Sequence, residues 1–88
     1  KELTIYPNPV REGYNGYITI EGLSSESKIK ITDINGNLVF ETESNGGTAV
    51  WNGKDHHNNK VSTGVYLVFS SSEYSTKKKS VGKILIIK

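Results

Sequence analysis

Apolar and polar residues alternate with a period of two along most of the chain, the spacing of strands that bury one face. Leu3-Thr4-Ile5-Tyr6 is the first such run, and Pro7-Asn8-Pro9 ends it, because two prolines remove two ladder donors and confine the run to a sheet edge. Tyr17 to Glu21 places Ile18 and Ile20 on one face, and Lys28-Ile29-Lys30-Ile31-Thr32 alternates most cleanly of all. A fourth strand is expected over Leu38 to Thr42, a fifth over Thr48 to Trp51, a sixth over Gly64 to Ser70 and a seventh over Lys78 to Ile87. The seventh contains the consecutive apolar residues Ile84 to Ile87, so both its faces are expected to be covered, and Gly82 is placed to bulge or bend it.

Turn chemistry separates these runs. Asn35-Gly36 is the pair best able to take the positive φ angles of a type I′ hairpin turn, and Asn45-Gly46-Gly47 marks the next reversal. No stretch sustains a helical period. Seven short strands with turn signals between them predict an all-β fold, an immunoglobulin-like sandwich of about seven antiparallel strands.

With 88 residues the chain is one domain that buries about 60 to 65% of its unfolded surface. Cysteine is absent, which excludes disulfides and thiolate metal sites and leaves stability to packing. Trp51, the only tryptophan, is the largest apolar side chain available, and the two sheets are expected to close on it. The net charge of +2 is spread over most of the chain, which argues against nucleic acid or an acidic membrane as partner. No apolar run approaches the roughly 20 residues of a membrane-spanning helix. Because residue 1 is almost inside the first strand, the chain reads as a C-terminal piece excised from a longer polypeptide.

Candidate chemistry is sparse. His56 and His57, with Asp55, Asn58 and Asn59, occupy the polar loop behind Trp51, but adjacent histidines on an extended segment point opposite ways and no third ligand has a recognisable spacing. A solvated loop is expected there, with no metal. Asp33, Asn35 and Asn37 imitate the first ligands of a calcium loop, yet Gly36 is not at the sixth position and Ser44 stands where the bidentate Glu belongs. There is no Gly-x-Ser-x-Gly and no Cys to pair with His, so neither an enzyme nor a cofactor is expected. Trp51, Tyr14 and Tyr17 could together stack on sugar rings, which keeps an accessory carbohydrate-binding sandwich as the alternative. Lys77-Lys78-Lys79 reads as a solvated edge that discourages strand pairing, and the same edge offers a partner backbone groups and a register of side chains.

Ile5-Tyr6-Pro7-Asn8-Pro9-Val10, Ile31-Thr32-Asp33-Ile34-Asn35-Gly36-Asn37-Leu38-Val39, Trp51-Asn52-Gly53-Lys54-Asp55 ahead of Ser62-Thr63-Gly64-Val65-Tyr66, and the basic-apolar C-terminus occur in one order over the whole chain. Together they resemble the type A C-terminal sorting domain of the type IX secretion system of Bacteroidota. The middle and loop pieces alone also resemble the immunoglobulin-like domain of flagellar hook-capping proteins. The first resemblance implies a non-catalytic address label that follows an upstream cargo in the same chain. It implies passage through the periplasm, reading by translocon proteins, removal by a sortase-type cysteine protease, and a final place at the outer membrane, the cell surface or the medium. Carried over, the family motifs are Pro7, Asn8 and Pro9, then Gly64 and Tyr66, and the sorting strand holds Lys77, Lys78, Lys79, Val81, Gly82, Lys83, Ile84, Ile86 and Lys88. A terminal strand of this kind can also exchange between copies to give a swapped homodimer. The family commonly has a glycine in the loop where this chain has His57-Asn58-Asn59, which singles out that loop's conformation.

Overall fold

The computed structural model describes residues 3–72 and 79–88. Its strands are β1 (Thr4–Tyr6), β2 (Ile18–Glu21), β3 (Ser27–Thr32), β4 (Leu38–Glu43), β5 (Thr48–Trp51), β6 (Gly64–Ser72) and β7 (Lys79–Ile86). All seven fall where the alternation places them. They form two antiparallel sheets, ordered β1-β2-β5 and β4-β3-β6-β7, and β1 is an edge as its prolines require. Constant-type immunoglobulin domains keep the fourth strand with the first, second and fifth. Here the link from Asp33 to Asn37 is too short to cross between layers, so β4 folds back on β3.

Inward-facing residues of both sheets make the core: Ile18 and Ile20, Ile29 and Ile31, Ala49 and Trp51, Tyr66 and Val68, Ile84 and Ile86. Trp51 is fully buried, its ring centroid 6.4 Å from that of Phe40 and 5.8 Å from that of Tyr66. Since Phe40 and Tyr66 belong to the opposite sheet, this one side chain ties the layers together. Its indole N–H donates to the Lys54 carbonyl at 2.8 Å, which satisfies the only polar atom it buries. The Tyr66 hydroxyl donates to the Ser62 carbonyl at 2.7 Å, the local tie known in such sandwiches as a tyrosine corner.

Two expectations are corrected. β7 is covered on one face only: Ile84 and Ile86 are buried, whereas Leu85 is 40% exposed. An edge strand of a two-layer sandwich has nothing on its outer face, so a run of apolar residues is not proof of double burial. The Asp33–Asn37 turn is not type I′, which needs positive φ at both central residues; Gly36 has it at +88° and Asn35 does not. The expected irregularity in β7 is present, because Val68 pairs with Gly82 and Phe69 with Ser80, which leaves Val81 without a partner. At Gly82 a Cβ would lie 2.7 Å from Ile5 Cδ1, so glycine is what lets the Ile5 side chain close over the strand.

Candidate functional site

The loop behind Trp51 is built on one carboxylate. Asp55 Oδ1 accepts the N–H groups of His57 at 2.9 Å and Asn59 at 3.0 Å, while the Asp55 N–H donates to the Asn59 carbonyl at 2.8 Å. Asn58 takes a positive φ of +68°, a conformation asparagine tolerates better than most residues. It therefore fills the place where the family's glycine was expected. The donated N–H groups, Asn59's first, hold the Asp55 carboxyl below the usual carboxylate range despite partial burial, and the charges of His57 and His56 add to this.

The His56 N–H and its ring Nδ1 both meet the Val39 carbonyl, at 3.0 and 3.2 Å. A carbonyl only accepts, so Nδ1 carries the proton. That carbonyl is available because Ile31 pairs with Phe40 and Thr32 with Leu38, so Val39 is skipped in the ladder. His56 thus closes a bulge. The expectation that the two imidazoles point apart is overturned: the segment is a turn, not extended, and the ring centroids are 4.3 Å apart. Among the described residues no three His, Asp or Glu side chains gather as a metal site would require.

An open cleft of about 450 Å³ lies at one end of the sandwich, bordered by Arg11, Tyr14, Lys54, Lys60 and Lys88. Lys60 Nζ donates to Asn15 Oδ1 at 2.9 Å, and the Tyr14 hydroxyl donates to the Tyr17 carbonyl at 2.7 Å. Tyr14 and Tyr17 are exposed, but Trp51 is wholly buried, so the three aromatics do not assemble into a sugar platform.

The early and terminal motifs, far apart in sequence, meet at the outer edge of β7. There Asn8 Nδ2 donates to the Lys83 carbonyl at 2.9 Å and Asn8 Oδ1 accepts the Leu85 N–H at 3.0 Å. Val10 continues the contact as a parallel bridge to Ile86. The peptide bonds that precede the two prolines of this segment, Tyr6–Pro7 and Asn8–Pro9, are cis. Gly64 opens β6 opposite Ile86, and Tyr66 faces Ile84. Of the sorting-strand residues, Lys83 and Lys88 are exposed while Ile84 and Ile86 point into the core. Lys79, Val81 and Gly82 lie within β7; Lys77 and Lys78 lie outside the described residues. The clasp by Asn8 was not anticipated from sequence. Its only local sign is an amide side chain set between two residues that cannot donate.

Over residues 4–88 the chain matches the family described as secretion system C-terminal sorting domain. The chain belongs to that family. The sorting domain also resembles a solved structure of PorZ, described as an essential bacterial surface component of the type-IX secretion system of Porphyromonas gingivalis, with a TM-score of 0.83 and 36% identity over 98% of the chain. The sorting domain spans 11% of that protein's length. No curated protein matches it. The resemblance to type IX sorting domains thus stands, and with it the function of a C-terminal sorting signal and the immunoglobulin-like sandwich. Such a signal implies a cargo in the same chain, a secretion system that handles it, and export to the cell surface or the medium.

Proposed function

We propose that this sorting domain ends a longer polypeptide, crosses the periplasm folded behind its cargo, and is read at the outer membrane by type IX translocon proteins. A sortase-type protease then removes it. The domain does no chemistry itself. The observation that carries this reading is the family match, which runs through every strand to Lys88. The described place of PorZ at the bacterial surface is consistent with such a destination. Recognition is assigned to the terminal strand: Lys77, Lys78, Lys79, Lys83 and Lys88 supply charge, and Val81, Gly82, Ile84 and Ile86 fix the strand that carries it. The burial of Ile84 and Ile86 supports that division, since neither is accessible to a partner in the folded domain.

Replacing Lys77, Lys78, Lys79 and Lys83 by Gln tests it without removing the strand, because the change keeps side-chain length and removes only charge; at exposed Lys83 it costs under about 0.5 kcal/mol. Fused to a reporter in a bacterium with an active type IX system, the parent domain is expected to bring the reporter to the surface or medium. The Gln variant should fold and leave the reporter in the periplasm. Light scattering run alongside identifies a strand-swapped homodimer, which would hide the strand for a different reason. A folded, monomeric Gln variant exported like the parent would move recognition off the basic strand.

A further inference from the structure

The outer edge of β7 is occupied in an unusual way. Lys83 C=O and Leu85 N–H are taken by the side-chain amide of Asn8, Leu85 C=O accepts from the Val10 N–H at 2.7 Å, and the Ile87 N–H donates to the Val10 carbonyl at 2.8 Å. One side chain and one backbone unit thus imitate a parallel neighbouring strand. We propose that this edge is a strand-addition site for an extended peptide, and that Pro7 to Val10 is a strap that holds the site until such a peptide displaces it.

The strap is built to be exchanged. Pro7 and Pro9 have no N–H to give, so it cannot lengthen its ladder along β7. Asn8 is exposed and so is Lys83, and hydrogen bonds open to water are readily traded for those of an incoming strand. Only Val10 is buried. The strap also specifies what the site accepts: a chain running parallel to β7, with asparagine two positions before a residue of valine size. It leads directly back into β1, so lifting it disturbs the edge of the other sheet and the side from which a cargo would enter. The sorting reading is needed only to say that the secretion machinery supplies the peptide.

The test uses the whole domain and the Asn8→Ala variant. Amide exchange at Leu85 is expected to rise about tenfold or more with the loss of its acceptor, while Ile84 and Ile86, whose N–H groups point toward β6, stay as in the parent. A synthetic hexapeptide with the sequence of Tyr6 to Arg11 should then reprotect Leu85 in the variant, and bind the parent at least about tenfold more weakly. The same peptide with alanine in place of its asparagine should not. If Asn8→Ala does not fold, Asn8→Leu is read in the same way, since it keeps a side chain of similar size and removes both the acceptor for Leu85 and the donor to Lys83. Unchanged exchange at Leu85 in a folded variant, or an opened edge that the peptide leaves unprotected, overturns the proposal. Export of a reporter by the parent domain alongside a negative peptide result ends the strap alone. Peptide binding by a domain that exports nothing ends the sorting reading alone.

Discussion

Two loops of this molecule, Asp33–Asn37 and Asp55–Asn59, have the same backbone from different residues. In each the aspartate Oδ1 accepts the N–H groups two and four residues on, its own N–H donates to the carbonyl of the closing asparagine, and the fourth residue has positive φ. The first loop uses Gly36 there and the second uses Asn58. What sets the conformation is therefore the carboxylate at the head of the loop, with glycine one of two ways to accommodate it. The loops differ in what surrounds them. Ile34 is 68% exposed at the tip of the first, whereas the second is fastened to the core by Trp51 through Lys54 and by His56 through Val39.

The largest way to break this likeness is Trp51→Ala. Truncating a buried aromatic costs about 3 to 5 kcal/mol, a large share of what a small domain has. Urea unfolding measures the loss. Where the variant still folds, amide exchange at Asn59 should rise far more than at Asn37, because only the second loop hangs on the indole N–H. Equal loosening of both loops would mean that the core contact does not distinguish them, and a loss below about 1 kcal/mol would contradict the burial of Trp51 itself.

The same contrast shows what was legible in the sequence. Strands were readable because period-two alternation is local: Ile18 with Ile20 and Ile29 with Ile31 announce their own inward face. Trp51 was readable from its size and its apolar neighbours. The exposure of Leu85 was not, because it depends on β7 being an edge with no third layer over it. Nor was the pairing of His56 with Val39, which follows from a bulge in a strand 17 residues earlier. The Asn8 clasp spans 75 and 77 residues and left no periodic trace. Local rules gave the frame; the contacts that make the candidate site are long-range.

A smaller effect comes from exchanging the positive-φ residues. A Cβ at Gly36 would meet nothing within 4 Å, so Gly36→Ala tests backbone conformation alone and should cost about 1 to 2 kcal/mol. Asn58→Gly should stabilise by less than about 1 kcal/mol, since relief at positive φ is offset by the greater freedom of an unfolded glycine. Thermal unfolding compares the two. A destabilising Asn58→Gly would show that the Asn58 side chain supplies something beyond tolerance of its backbone angle.

The finest distinction is electrostatic, and small because both carboxylates meet solvent. N–H donors of Asn37 and its neighbours hold Asp33 below the ordinary 3.8, and those of Asn59 and His57 do the same for Asp55, where the charges of His57 and His56 add to the effect. A carboxylate whose folded pKa is depressed binds fewer protons than in the unfolded chain. Its stabilisation is complete above the unfolded value and is lost as pH falls through 3.8 toward the folded one. The melting temperature of the parent should therefore drop below about pH 4, and the Asp33→Asn/Asp55→Asn double variant should show a flatter acid limb. Single variants separate the loops. Salt should shrink the acid limb in Asp33→Asn, where Asp55 and its charged histidines remain, because ionic screening acts over about 10 Å at 0.1 M. It should hardly alter the limb in Asp55→Asn, where hydrogen bonds alone depress Asp33. Equal salt dependence in the two would mean that the imidazoles contribute nothing to Asp55, and that the two loops match in charge as they do in backbone.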